Sequence, residues 1–166
     1  MSASVREGAL QSESLLAAYR VEGGHVDCYI ADLPHPVDLP RLITAFYTSM
    51  AFRPERWLLG VLLGKRADNR DVARLAAGEV ERFSAWSVEA RTDTEILLCD
   101  FQGKTRSWLM VTPQGTGTRI YFGSAVVPAR SRTDRAAFSA LLWFHRWYSR
   151  RLLSSAAARL TLAYLQ

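Results

Sequence analysis

Apolar and polar residues alternate along the first strand-like segment and along a series of segments in the second half of the chain. Residues 26–33 follow a period of two, which is typical of a strand with two different faces. Four later segments are rich in aromatic and β-branched residues: 80–91, 94–101, 105–112 and 118–127. The turns between them are short, so we expect antiparallel neighbours in a meander. Five long strands are predicted, and the first of the four later segments has room for two.

Helical periodicity predicts short helices between the first strand and the meander. Asp38 is placed to cap one helix, with Pro40 in its first turn. A second short helix begins near Pro54, and residues 68–76 add one more helical piece. These helices would cover part of the sheet.

The longest helix is expected at the C-terminus, over about residues 133–165. It would be about 45 Å long at 1.5 Å per residue. Its apolar stripe is Phe138, Leu141, Leu142, His145, Tyr148, Leu152, Ala156, Leu160 and Ala163. The pattern predicts an α+β fold: an antiparallel curved sheet wrapped around a long C-terminal helix, with two short helices after the first strand.

The turn after Phe101 decides which side chains of two neighbouring strands share a face. A three-residue loop places Leu98 and Asp100 on the same face as Arg106 and Trp108, whereas a two-residue loop pairs the opposite parity. We favour the three-residue loop, because it keeps Asp100 near a cation.

A chain of 166 residues suits one domain. We expect residues 1–24 to form an N-terminal arm and residues 25–166 to form a single helix-grip-like domain. The net charge is +5, but the basic residues are spread along the chain without a nucleic-acid-binding motif, so no nucleic-acid partner is predicted. The chain shows neither a signal-peptide pattern nor a membrane-spanning apolar run, which favours a cytoplasmic protein.

The sequence gives little support for metal or cofactor chemistry. Cys28 and Cys99 lie in separate apolar segments, as reduced thiols usually do. The histidines and cysteines lack metal-ligand spacing, and the Gly103-Lys104-Thr105 segment lacks the earlier glycine of a phosphate-binding loop. We therefore predict no metal and no cofactor.

Two groups of residues leave alternatives open. His145 lies in the apolar stripe of the last helix, where it is either a general acid or base assisted by Asp27 or Asp100, or a core histidine satisfied by a hydrogen bond. Trp143 and Trp147 fall on the other side of that helix and, together with Trp57, could form an exposed patch. Such a patch would support a homodimer or, second, contact with a membrane surface, or the N-terminal arm would cover it within the same chain.

Five segments in order carry a resemblance to a known family: Asp27-Cys28-Tyr29, Ala45-Phe46-Tyr47, Trp86-Ser87-Val88-Glu89-Ala90-Arg91, Phe122-Gly123-Ser124-Ala125-Val126-Val127 and Phe144-His145-Arg146-Trp147-Tyr148-Ser149. Together they resemble an uncharacterised bacterial family, a domain of unknown function, associated with the Bet v 1-like and START-like helix-grip (SRPBCC) superfamily. Members of that superfamily bind lipids, sterols, polyketides or other apolar molecules between sheet and helix, and a few are cyclases or hydrolases. The five strands predicted are fewer than its usual six or seven, which would reduce the cavity.

The resemblance implies a binding module for a small apolar or amphipathic ligand between the sheet and the C-terminal helix. The pocket candidates are Asp27, Trp86, Arg106, Trp108, Tyr121, Phe122, His145 and Tyr148. The aromatic residues would form the walls, and Asp27, Arg106 and His145 would orient the polar end of the ligand. One alternative is a structural domain with a filled core that self-associates through Trp143 and Trp147. The other is a cyclase- or hydrolase-like enzyme that uses His145.

Overall fold

A seven-stranded antiparallel sheet forms the centre of the described structure. The computed structural model describes residues 4–21, 25–49, 68–126 and 135–166, and in the last range the side chains from Trp147 onward. The strands are β1 (Arg6–Glu7), β2 (His25–Leu33), β3 (Arg82–Phe83), β4 (Trp86–Arg91), β5 (Glu95–Asp100), β6 (Thr105–Gln114) and β7 (Gly117–Val126). Their order across the sheet is β1-β2-β7-β6-β5-β4-β3. Strands β3 to β7 are therefore a meander, as predicted, and β2 extends the sheet beyond β7.

The helices lie on both surfaces of this curved sheet. A 3-10 turn (Leu15–Ala17) continues into α1 (Ala18–Val21); the others are α2 (Leu39–Tyr47), α3 (Asn69–Ala77) and the C-terminal α4 (Arg135–Tyr164). Helices α2, α3 and α4 share one core with the sheet. The predicted α+β fold and its helix-grip layout are confirmed. The short helix predicted near Pro54 lies outside the described residues.

Local sequence signals explain where α2 and α3 begin and end. Asp38 Oδ1 accepts a hydrogen bond of 2.8 Å from the N–H of Arg41, and Pro40 occupies the first turn of α2, as predicted. Asp68 caps α3 in a capping box with Asp71. At the other end of α3, the Arg91 guanidinium donates to two helix carbonyl oxygens, each at 2.6 Å. Local hydrogen bonds thus set where both helices begin, and Arg91 of β4 fixes the end of α3 to the sheet.

The sheet is apolar on both surfaces, and a different part of the chain covers each one. The helix-facing surface carries Tyr29, Ala31, Leu33, Ile96, Leu98, Leu109, Val111, Ile120 and Phe122. The outer surface carries Cys28, Ile30, Leu97, Trp108, Met110, Tyr121 and Ala125. The N-terminal arm covers the outer surface with Leu16, which is fully buried, and with Leu10, Leu15 and Tyr19.

The register between β5 and β6 differs from the prediction. Cys99 lies opposite Arg106, so the connecting loop holds four residues, 101–104, and Leu98 shares a face with Ser107. The turn closes because Asp100 Oδ1 accepts hydrogen bonds from the N–H groups of the two residues before Arg106, at 2.8 and 3.3 Å. Those backbone groups satisfy the carboxylate without a cation, so the favoured three-residue loop was wrong.

The number of strands is also higher than predicted. The arm contributes β1, a two-residue strand that pairs with β2. Residues 80–91 hold both β3 and β4, separated by a turn at Ser84, whose φ is 55°. Strands β6 and β7 also extend beyond the predicted segments 105–112 and 118–127, because Gln114 pairs with Gly117 across a two-residue turn.

The arm is attached to the outer surface by a carboxylate and by a close contact. Glu95 Oε2 accepts hydrogen bonds from the backbone N–H of Leu15 at 2.9 Å and from Trp108 Nε1 at 2.8 Å. Beside them Leu16 lies so close to Gly123 that a Cβ atom added there would be 2.6 Å from the Leu16 side chain. The arm therefore needs a residue without a side chain at position 123.

A second set of anchoring contacts, centred on Asp32, joins three neighbouring strands of the sheet. Asp32 accepts hydrogen bonds from Arg119 at 2.6 and 3.1 Å and from Arg6 at 2.8 Å. The hydrogen bond from Arg119 lowers the pKa of Asp32, burial opposes this shift, and Arg6 adds to the lowering. These contacts link β1, β2 and β7.

We predict that Gly123→Ala lowers the free energy of unfolding by about 1–3 kcal/mol, because the new methyl group would lie 2.6–2.9 Å from Leu16, Trp108 and the carbonyl oxygen of Asp27 and forces them to move. Urea unfolding measures the change. In a background of Leu16→Ala the same substitution should cost less, since one of its clashing partners is gone, although Trp108 still lies within 2.8 Å of the added atom. An equal cost in both backgrounds would show that Leu16 does not pack on Gly123.

We also predict a pH-dependent effect of Asp32→Asn. The folded pKa of Asp32 is below its unfolded value of about 3.9, so its stabilisation is present above that value and is lost as pH falls through the folded pKa. The Asp32 side chain is 37% exposed, so the loss at pH 7 should stay below about 1 kcal/mol. Urea unfolding at pH 7 and near pH 2, with Asp93→Asn in an exposed turn as control, tests this. A loss that persists at the acidic pH contradicts the assignment.

Candidate functional site

Three oxygen-bearing side chains form a row across neighbouring strands on the helix-facing surface. Asp27 in β2 lies opposite Ser124 in β7, which lies opposite Ser107 in β6. Asp27 Oδ1 accepts hydrogen bonds from the N–H and the hydroxyl of Ser124, at 3.0 and 2.6 Å. The hydroxyl of Tyr47, at the end of α2, lies 3.5 Å from Ser107 Oγ. We name these four residues the polar row.

Beyond the polar row, the helix-facing surface is filled by apolar side chains of α2, α3 and α4. Leu152, Leu153, Ala156 and Ala157 are all at most 4% exposed and pack in the same core as the sheet residues. This half of the interior is close-packed, as protein cores generally are. In this half of the interior, the described side chains leave little room for a ligand between sheet and helices.

Several buried polar atoms on this surface make no hydrogen bond within the described part of the chain. They are His25 Nε2, Ser49 Oγ, Trp86 Nε1 and Ser149 Oγ. By strand alternation His25 shares a face with Asp27, and Trp86 packs against the helix-facing core. A buried polar group left without a partner costs about 1–3 kcal/mol. Their hydrogen-bonding capacity is thus available to a further group.

Four of the predicted site residues are associated with the helix-facing surface. Asp27 belongs to the polar row, and the Phe122 ring packs 4.7 Å from the Phe46 ring, between centroids. Trp86 and Tyr148 are partly buried against the same core. The side chain of His145, the fifth candidate expected here, lies outside the described residues.

The remaining three candidates, Arg106, Trp108 and Tyr121, lie on the outer surface, which corrects their expected position. Residues 106 and 108 have the opposite parity to Ser107, so the four-residue loop before β6 directs them away from α4. They serve the arm instead: Arg106 donates to Glu89 at 2.8 Å and to the Tyr19 hydroxyl at 2.9 Å. A ligand between sheet and α4 cannot contact them.

Sequence reasoning missed Tyr47, Ser107 and Ser124. A serine within a strand that is otherwise apolar was the available signal, since a buried hydroxyl needs a partner. That signal depends on register, because only the observed pairing puts Ser107 and Ser124 beside each other. Tyr47 was predicted as an apolar position of α2, and its ring is indeed buried.

The two cysteines are poor candidates for nucleophilic chemistry. Burial, with a smaller contribution from the Asp27 carboxylate, raises the pKa of Cys28 to about 12. Burial also raises the pKa of Cys99. In the ranges that the structure describes, no group of three or more histidine, cysteine, aspartate or glutamate side chains is placed to hold a metal ion. The polar row is suited to hydrogen bonding.

A separate groove of about 640 Å³ lies where the end of α4 meets the start of α2. Its walls come from the loop after β2, the first turns of α2 and the last two turns of α4. They are formed by His35, Pro36, Val37, Asp38, Pro40, Arg41, Thr44, Ala45, Arg159, Leu160, Ala163 and Tyr164. None of these residues was a predicted site residue.

The chain was also compared with known proteins. No protein-family model, curated protein or solved structure matches it. Among the described helices, none has both the length and the apolar character needed to cross a membrane. The assignment of the candidate sites therefore rests on their geometry and chemistry.

Proposed function

We propose that this protein binds a small amphipathic molecule between the sheet and α4, at the end of the sheet that holds the polar row. The observation that supports this most strongly is the polar row on an otherwise apolar surface, together with His25 Nε2 and Trp86 Nε1, two buried atoms of the same surface without a partner in the described residues. Small-molecule sites commonly combine apolar walls with a few convergent polar groups. The resemblance to the helix-grip superfamily agrees with this location.

The polar row favours a ligand that carries hydroxyl or carbonyl groups. The hydroxyls of Tyr47 and Ser107 each donate or accept hydrogen bonds, and the Asp27 carboxylate accepts them. The apolar body of the ligand would lie toward Phe122. Because α2, α3 and α4 fill the rest of this surface, we expect a small ligand instead of a long lipid chain.

Matched variants on the two surfaces of the sheet test this proposal. We predict that the protein purified from its own host retains a small molecule in native mass spectrometry, and that Tyr47→Phe lowers the retained fraction severalfold. This change removes one hydroxyl beside Ser107 and keeps the buried ring. Tyr121→Phe is the control, because its hydroxyl meets Gln11 and Thr112 on the outer surface. Equal retention by both variants, or no retained molecule in the parent, contradicts the proposal.

A second candidate function is self-association through the α4 surface around Trp147. Trp147 is 50% exposed, and the Arg151 guanidinium lies 5.2 Å from its ring centroid. The arm packs Leu15, Leu16 and Tyr19 on the outer surface of the sheet and reaches α4 through the Glu7–Arg150 ion pair of 3.9 Å. Aromatic and arginine side chains are enriched in protein interfaces.

We predict that Trp147→Ala, alone or combined with Trp143→Ala, lowers the sedimentation coefficient of the protein if this surface forms a homodimer. Phe101→Ala, which removes another exposed aromatic ring, is the control. An unchanged mass in sedimentation equilibrium removes the dimer hypothesis. The enzyme hypothesis based on His145 stays a prediction, because no described contact bears on it.

A further inference from the structure

The groove at the end of α4 is distinct from the polar row. It begins at the loop that follows Leu33, six residues along β2 from Asp27, which corresponds to about 20 Å of strand. Its volume of about 640 Å³ lies within the roughly 300–1,000 Å³ range of small-molecule sites. The two sites can therefore be tested separately.

Two cationic side chains line the groove. The Arg41 guanidinium makes no hydrogen bond or ion pair with the described residues. Arg159 donates one hydrogen bond of 3.2 Å from Nη1 to the carbonyl oxygen of Thr48, which leaves its other N–H groups available. Asp38 is the one carboxylate among the lining residues, and its Oδ1 already accepts the N–H of Arg41. Cations therefore outnumber anions along the walls.

A buried histidine adds a second, independent feature. His35 forms part of the groove wall, is 2% exposed and has an Nε2 atom without a hydrogen bond among the described residues. Its ring stacks on the ring of Tyr164, with centroids 4.3 Å apart and planes 7° from parallel. Tyr164 itself is largely exposed. The imidazole thus has an unused polar atom next to a flat aromatic surface.

The rest of the wall is apolar except for Thr44, whose hydroxyl donates to the Pro40 carbonyl oxygen at 2.9 Å. Val37 and Leu160 are buried beneath the groove, and Ala163 at the end of α4 has a small exposed side chain. This surface suits the body of a ligand, whereas the guanidinium groups suit an anionic head.

We infer that this groove binds an amphipathic organic anion, with a carboxylate, sulfonate or phosphate head at Arg41 and Arg159 and an apolar or aromatic body against Val37, Leu160 and Ala163. His35 Nε2 provides an additional hydrogen bond to a polar atom of the ligand. This inference is independent of the ligand proposed for the polar row.

Two related fluorescent probes test separately how the anionic head and the apolar body of the inferred ligand contribute to binding. The anionic probe is 8-anilinonaphthalene-1-sulfonate, and the neutral probe is N-phenyl-1-naphthylamine, which has the same aromatic body without the sulfonate. We expect one saturable site for the anionic probe with a Kd about tenfold lower than that for the neutral probe, and a difference that shrinks as salt is added. Equal affinities for the two probes would overturn the inference.

Variants then locate the site. Arg41→Gln combined with Arg159→Gln should raise the Kd of the anionic probe about tenfold and leave that of the neutral probe unchanged. Ala163→Trp, which fills the groove, should weaken both probes. The control is Arg70→Gln combined with Arg82→Gln, two exposed arginines outside the groove. Near-ultraviolet circular dichroism confirms that each variant stays folded.

The outcomes also separate this groove from the polar row. Tyr47→Phe should leave binding of the anionic probe unchanged. If Tyr47→Phe weakens the probe while the double arginine variant and Ala163→Trp do not, the probe binds between sheet and α4 and the groove assignment fails. If the control pair of arginines weakens it as much as Arg41 and Arg159 do, binding follows net charge and the assignment also fails.

Discussion

The whole structure depends on a sheet whose central strands are apolar on both surfaces. Trp108 and Leu109 are neighbours in β6 that point to opposite surfaces, and both are completely buried. Burying one such side chain contributes about 1.5–3 kcal/mol, so neither surface can remain open to water. One cover is the set of helices, and the other is an arm of fewer than twenty described residues. The close contact at Gly123 and the hydrogen bonds of Glu95 follow from this need.

Because both surfaces of the sheet are covered, some charged side chains hold the covering elements in place. Other charged side chains remain available for binding. Arg106 holds the arm through Tyr19 and Glu89, with the bond between those two partners completing the cluster. Burial on its own opposes the charge of Arg106, but Tyr19 and Glu89 outweigh it and raise its pKa. Arg91 is used in a similar way to close α3. Arg41 has no such structural use in the described residues and remains available to the anion inferred for the groove.

Sequence patterns predicted the helix-grip layout well because its determinants are local. Alternation located the strands, and Asp38 with Pro40 marked the start of α2. The register between β5 and β6 could not be predicted from local patterns. Asp100 closes a four-residue turn by accepting hydrogen bonds from backbone N–H groups, and the sequence does not reveal these bonds. The surface on which a strand residue lies depends on this register. Arg106 and Trp108 were therefore expected on the surface opposite to the one they occupy. The two-residue strand β1 was too short to give a periodic signal.

Helix α2 connects the two candidate sites, and this explains why both can be well defined in a small protein. Its first turn supplies Arg41 to the groove, and its last residue supplies Tyr47 to the polar row. Six residues at 1.5 Å each separate Arg41 from Tyr47 by about 9 Å along the helix axis. The helix is capped at Asp38, and the carbonyl oxygen of Thr48 accepts a hydrogen bond from Arg159 of α4. A helix fixed at both ends, with Phe46 buried between them, holds each set of polar groups at a defined distance from the sheet.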